Sequence, residues 1–345
     1  MNADTGDINM KKLMMIYILL IAAFVGYVVM YRLEDQRRSN AWQDGGLHGS
    51  IGENYVMVTF QSGMEYWKNI LKGFEDGGDA LGVSVDYRGS TQYDVKEQIT
   101  VLEQVIAKKP AGIALSAIDS RALTSTINKA VDAGIPVVLF DADAPDSKAY
   151  SFLATNNYDA GAAAADQMAL ILGREGEVGI ITQPGQQNHD DRMSGFRDTI
   201  AAKYPAMSVV DVKEGKGDTM IAKNAASEML KKHPALKGIF ATEASGGAGA
   251  ADAVIAANKT GKVKIIGFDT NKATLDRISD GTISATIAQG TWNMGYWSLQ
   301  YLFHLHHGLT VPAPTLGNDV SPLPPRVDTG VTIVTRENVK DYYAK

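Results

Sequence analysis

Polar side chains with hydrogen-bonding chemistry stand just beyond a series of short apolar runs: Ser116 and Asp119, Asp141 and Asp143, Asn188 to Arg192, Glu243, Asp269 and Gln289. Carboxylates and amides that form paired hydrogen bonds to neighbouring hydroxyls, together with one arginine, are what a neutral polyol needs. Such a pocket discriminates sharply, because a missing hydroxyl leaves buried groups unpaired. Tyr66 and Trp67 follow the loop Gln61-Ser62-Gly63 and precede a helix. Two aromatics there can stack on the C–H face of a sugar ring, and they equally suit the core beneath that helix. Asp141 likewise has an ordinary alternative, as a cap on the turn after its strand.

Other chemistries fit the residues less well. Gly247 and Gly249 follow an apolar run, with Asp269 about twenty residues on, which resembles a truncated dinucleotide fingerprint without its third glycine. Asp141, Glu243 and Asp269 could serve glycoside hydrolysis, although carboxylates in sugar pockets are more often hydrogen-bond acceptors. His304 and His307 are three residues apart beside His306, and no neighbouring carboxylate or cysteine completes a metal site, so surface histidines are expected. No Gly-x-Ser-x-Gly elbow and no His-Glu-x-x-His motif occurs. No catalytic residue, cofactor or resident metal is expected. The net charge of -6 leaves no basic surplus for phosphates, so nucleic acid is not an expected partner. With no cysteine, disulfides and thiolate chemistry are excluded.

The elements that position these groups read as alternating strands and helices. Val137 to Phe140 is apolar without alternation and ends on Asp141, the pattern of a buried parallel strand with an acidic exit. In an open α/β sheet, ligands sit outside the carboxyl ends of the strands, so a residue at such an exit faces the crevice. Tyr55 to Phe60, Val83 to Tyr87, Gly112 to Ser116, Val178 to Thr182, Ser208 to Val212, Gly238 to Ala241, Val263 to Gly267 and Ser284 to Ala288 are predicted as further strands, separated by helix-length segments. So many βα units exceed one compact sheet, and two doubly wound parallel-sheet lobes are expected. Ahead of them, Leu13 to Tyr31 lacks charge and approaches the roughly 20 residues that span a bilayer. This predicts a transmembrane anchor at 13–31 that is not cleaved, between a cytoplasmic tail at 1–12 and a flexible tether at 32–53. Lys11 and Lys12 before the span are balanced by Arg32, Arg37 and Arg38 after it, so charge does not set the orientation.

From about Tyr55 onward the order of Tyr66-Trp67, Asp141, Arg192-Met193-Ser194-Gly195-Phe196, Ile266-Gly267-Phe268-Asp269 and Ala285-Thr286-Ile287-Ala288-Gln289 resembles the type I periplasmic sugar-binding proteins of the ribose-binding kind. The resemblance implies two lobes joined by a three-strand hinge, with lobes at 54–155 plus 290–326 and at 156–289 plus 327–345. It implies that Tyr66 and Trp67 sandwich the ring, that Asp141, Arg192, Asp269 and Gln289 bind hydroxyls, and that Asn188 lines the pocket. Three positions depart from the family pattern: Ser116 replaces an asparagine, Ala142 an arginine, and Thr242-Glu243-Ala244 an Asn-Asp pair. A more acidic crevice, with Ser116 and Glu243 among its ligand residues, argues against ribose and suits a larger polyol, an amino sugar or a bound cation. The implied role is that of a membrane-anchored, extracytoplasmic solute-binding protein that closes on a sugar and delivers it to an ABC-type permease. The alternative partner is a membrane sensor histidine kinase.

Overall fold

The computed structural model describes residues 14–32, 46–310 and 323–343. The expected tail at 1–12, most of the expected tether, and residues 311–322 lie outside them. Helix α1 (Met14–Arg32) has 19 residues and exposes its apolar side chains along its length. At about 1.5 Å per residue it reaches about 28 Å, close to the hydrocarbon thickness of a bilayer.

The chain then builds two similar sheets. The first contains β1 (Asn54–Thr59), β2 (Ser84–Gly89), β3 (Gly112–Leu115), β4 (Val137–Phe140), β5 (Phe152–Ala154) and β11 (Arg326–Asp328), in the order β11-β5-β4-β3-β1-β2. The second contains β6 (Gly176–Thr182), β7 (Met207–Glu214), β8 (Leu236–Ala241), β9 (Lys264–Phe268), β10 (Ala285–Gln289) and β12 (Val331–Val334), in the order β12-β10-β9-β8-β6-β7. Among the described residues, pairing is parallel except between β10 and β12. In each sheet the first strand lies between the second and third, so the winding reverses there and opens a crevice at the carboxyl edge. Strands β3 and β4 are buried at every position, which explains their unbroken apolar runs.

The short strands β5, β11 and β12 escape the sequence reading, because three or four residues carry no legible period. One boundary is corrected. Arg326–Asp328 pairs with β5 in the first sheet, so the last change of sheet falls between Asp328 and Val331 and not at 326/327.

Helices cover both sheets, and two helix pairs approach unusually closely. Helix α2 (Tyr66–Leu81) packs on α10 (Thr291–His306), and α5 (Asn157–Leu172) on α6 (Gln187–Lys203). A Cβ on Gly73 would lie 2.1 Å from the Trp292 carbonyl oxygen, and one on Gly295 1.9 Å from that of Ile70. In the second lobe Gly161 stands in the same relation to Arg192, and Gly195 to Tyr158, each at 2.0 Å. Only glycine permits this backbone-to-backbone contact.

Candidate functional site

Asp141 and Asp269 occupy equivalent places, one residue past β4 and β9, and both hold a left-handed backbone, with φ of 62° and 63°. Asp tolerates that region better than most residues, and the turn carries the carboxylate off the strand axis at the carboxyl edge. The two lobes therefore aim one acid each at the crevice between them. Between the sheets runs a groove of about 980 Å³, lined by Phe60, Tyr93, Asp119, Asp141, Asn157 and Asn188 among others.

A hydrogen-bonded chain extends from Asp141. Ser116, buried at the end of β3, donates to Asp141 Oδ2 at 3.2 Å, and Tyr66 at the start of α2 donates to Oδ1 at 2.6 Å. Gln289 Nε2 donates to the Tyr66 hydroxyl at 3.3 Å and to Asp269 Oδ1 at 2.8 Å. Arg192 Nη2 donates to Gln289 Oε1 at 3.3 Å, Nη1 to the Thr242 carbonyl at 2.9 Å, and Nε to Asn157 Oδ1 at 2.8 Å. The Arg192 guanidinium also lies 3.6 Å over the Phe268 ring. Residues of both lobes thus form one continuous network, and the Gln289–Tyr66 bond crosses between them.

Burial raises the Asp141 and Asp269 carboxyls above their ordinary range, and Arg192 opposes that rise in both. Burial also raises the Tyr66 phenol, helped by the charges of Asp141 and Asp269. Desolvation lowers Arg192, whose carboxylate neighbours oppose it. A site of this kind offers charge-assisted acceptors and a fixed donor fork in a drier environment than bulk water, where hydroxyl geometry is read strictly.

Of the expected ligand residues, the structure brings Tyr66, Ser116, Asp141, Arg192, Asp269 and Gln289 into this network. Asn188 stands on the groove wall, and its Oδ1 accepts the His189 N–H at 3.0 Å. Two positions differ from expectation. Trp67 is 2% exposed, with its ring edge-on to Phe60 and Phe140 and its indole N–H donating to the Phe60 carbonyl at 2.8 Å. It packs the core beneath α2 and does not form one side of a ring sandwich. Glu243 is the N-cap of α8 (Ala244–Ala256) and accepts the Ser245 N–H at 2.9 Å. Its other oxygen is buried towards Gly215 and Gly246, without a hydrogen-bond partner among the described residues, and burial raises this carboxyl too. It caps a helix beside the site and makes no hydrogen bond to the network among the described residues; of the network side chains themselves, Asp141 and Asn157 lie on the groove wall, with Tyr66, Arg192, Asp269 and Gln289 behind it.

Sequence reasoning missed the groove aromatics Phe60 and Tyr93, packed edge to face with 5.5 Å between centroids, and missed Asn157 and Thr242, which orient Arg192. Phe60 stands directly after β1, so the strand-exit rule that found Asp141 also applies to it. Tyr93 carries no such signal. The dinucleotide reading fails on geometry: Gly247 and Gly249 lie inside α8. There Gly249 faces the Thr219 carbonyl and Ala222 of the neighbouring α7 (Thr219–Lys232), where a glycine-rich phosphate loop would precede the helix.

The family described as "Periplasmic binding protein domain" matches residues 51–309. The D-ribose/D-allose-binding protein of Pseudomonas aeruginosa is 31% identical over 224 residues, covering 63% of this chain and 70% of that protein. Among solved structures, AraP, an arabinose binding protein from Geobacillus stearothermophilus, is 63% identical with a TM-score of 0.81, covering 85% of this chain and 99% of that one. A sugar ABC transporter (sugar-binding protein) from Bacillus halodurans is 61% identical with a TM-score of 0.82, covering 84% and 100%. With two parallel-sheet lobes and a polar network spanning the crevice, the chain belongs to the type I periplasmic sugar-binding proteins.

Proposed function

We propose that this chain binds a neutral monosaccharide between its lobes, with arabinose the first candidate, and hands it to an ABC-type permease without covalent chemistry. The observation that carries the reading is the network joining Asp141, Tyr66, Gln289, Asp269 and Arg192 across the crevice. Its members are paired with one another, so a sugar enters by exchange: its hydroxyls take over the donors and acceptors that the Gln289–Tyr66 bond now uses. Phe60 and Tyr93 supply the apolar surface for the C–H face of the ring. The choice of arabinose is supported by the 63% identity to AraP, and ribose and allose, named for more distant relatives, come next.

The family places such domains outside the cytoplasmic membrane, and α1 suits an anchor that holds the domain there. An anchor that persists also suits a second reading, a sensing subunit whose closure alters its contact with a membrane sensor kinase. Ligand-dependent co-purification with a kinase, and none with a permease, would favour that second role.

The direct test is thermal unfolding of the detergent-solubilised full chain against both enantiomers of arabinose, then ribose, allose, xylose, galactose and NADH. A ligand bound only by the native state adds about 2.7 kcal/mol at a hundredfold excess over its Kd. One enantiomer of arabinose is expected to give the largest shift. Asp269→Ala and Arg192→Ala should each weaken that sugar by about 2 kcal/mol, the range for a hydrogen bond to a charged group. A shift with NADH alone, or consumption of a sugar during the assay, would overturn the reading.

A further inference from the structure

At the opposite end of the first lobe, Glu53 meets a histidine pair more than 250 positions further along the chain. Glu53 precedes β1, while His306 closes α10 and His307 is its C-cap. One ligand-capable atom from each lies within 4.8 Å of the others. Strand β1 runs from this point to the crevice, so the cluster is about 20 Å from the sugar site at 3.3 Å per residue.

We propose that Glu53, His306 and His307 form a binding site for a divalent transition metal of the zinc class. Two imidazoles and one carboxylate are a donor set that holds zinc with a further position left for water. The Glu53 Oε2–His307 Nε2 separation is 2.8 Å, and two ligand atoms on a tetrahedral zinc stand about 3.4 Å apart, so the pair opens only slightly around the ion. His306 closes the remaining distance by rotation, since it is exposed and makes no side-chain hydrogen bond among the described residues.

The surroundings hold Glu53 and His307 in place and leave His306 to turn. The Ser50 N–H donates to Glu53 Oε1 at 3.0 Å, which leaves Oε2 for the ion. The Phe303 ring lies 4.2 Å from that of His307, and the Tyr55 ring meets His306 edge-on at 6.1 Å. A side chain at Gly49 would come within 2.8 Å of Glu53 Oε2, so the bare backbone there keeps the carboxylate accessible. A bound ion ties the segment entering from α1 to the end of α10. It acts as a clip on the tethered lobe and leaves the crevice untouched.

The test uses the full chain in detergent, purified on a tag without histidines and stripped with a chelator. Cobalt(II) is the probe, read by its visible absorption, followed by displacement with zinc. One equivalent of cobalt per chain is expected, with affinity reduced at least tenfold in H306N and in E53Q. Far-UV circular dichroism and the sugar-induced thermal shift should be unchanged in H306N, which leaves the Glu53–His307 pair intact. Absence of saturable cobalt binding, or equal affinity in wild type and both variants, would overturn the proposal. A sugar-induced shift that survives such a result would leave the sugar-binding reading standing.

Discussion

The left-handed backbone at Asp141 and Asp269 costs about 1–2 kcal/mol per residue, and it recurs at the same place in both lobes. Strain placed symmetrically on two crevice carboxylates fits a pocket in which acceptor direction matters more than stability. The aromatics divide the same labour differently. Trp67→Phe removes a buried N–H bond and some core volume, and is expected to cost about 1–3 kcal/mol of folding stability with sugar affinity nearly unchanged. Phe60→Ala should instead weaken the sugar, and calorimetric titration beside denaturant unfolding separates the two outcomes. His189 offers a pH test. Its Nδ1 lies 3.2 Å from both oxygens of Thr242, and burial with Arg192 nearby holds its pKa down to about 4. Below pH 6.5 the unfolded chain takes up a proton that the native site refuses until about pH 4, so stability drains away as pH falls through that window. His189→Gln should gain up to about 3 kcal/mol relative to wild type by pH 4 and nothing at pH 8. Parallel pH profiles of the two proteins would refute this.

Among the elements, the α5–α6 pair sets the position of the binding arginine. Gly161 on α5 faces the backbone of Arg192 itself, and Gly195, one turn further along α6, faces α5 in return. Gly161→Ala must push α6 outward or move α5, and either shift displaces a guanidinium anchored at Asn157, Thr242 and Gln289. It is expected to lower stability by about 1–3 kcal/mol, in the range of overpacking, and to weaken the sugar at least tenfold. Gly73→Ala on the α2–α10 pair perturbs an equally close contact without touching Arg192. A loss of stability in Gly161→Ala with sugar affinity unchanged would show that the helix pair does not position the arginine; Gly73→Ala reports instead on Tyr66 at the start of α2.

At the scale of the molecule, three crossings among the described residues join the lobes and are bonded to one another. Asn156 N–H donates to Asp328 at 3.1 Å, Gly290 N–H to the Gly330 carbonyl at 3.0 Å, and Thr329 N–H to the Ala154 carbonyl at 3.0 Å. Such a cluster permits rotation of one lobe on the other, while the Gln289–Tyr66 bond is the contact that opening breaks. The absence of cysteine makes labelling specific, so spin labels at Ser120→Cys and Gln187→Cys, exposed on facing walls, report the motion. Their distance distribution should shorten and narrow with the bound sugar; an unchanged distribution would argue against closure.

Fold class and half of the network follow from the chain read alone, for a simple reason. A buried parallel strand must be apolar at every position, so Val137 to Phe140 declares itself, and the residue after it, Asp141, stands at the sheet edge by construction. The same logic locates Ser116, Asp269 and Gln289. Side-chain direction is different, because it depends on what approaches from elsewhere. Trp67 turns inward to the Phe60 carbonyl, Glu243 turns back to cap α8, and Tyr93 enters the groove from a loop. The partnership of Glu53 with His307, 254 positions apart, arises only where β1 and α10 come together, since no local pattern records a contact that long-range packing creates.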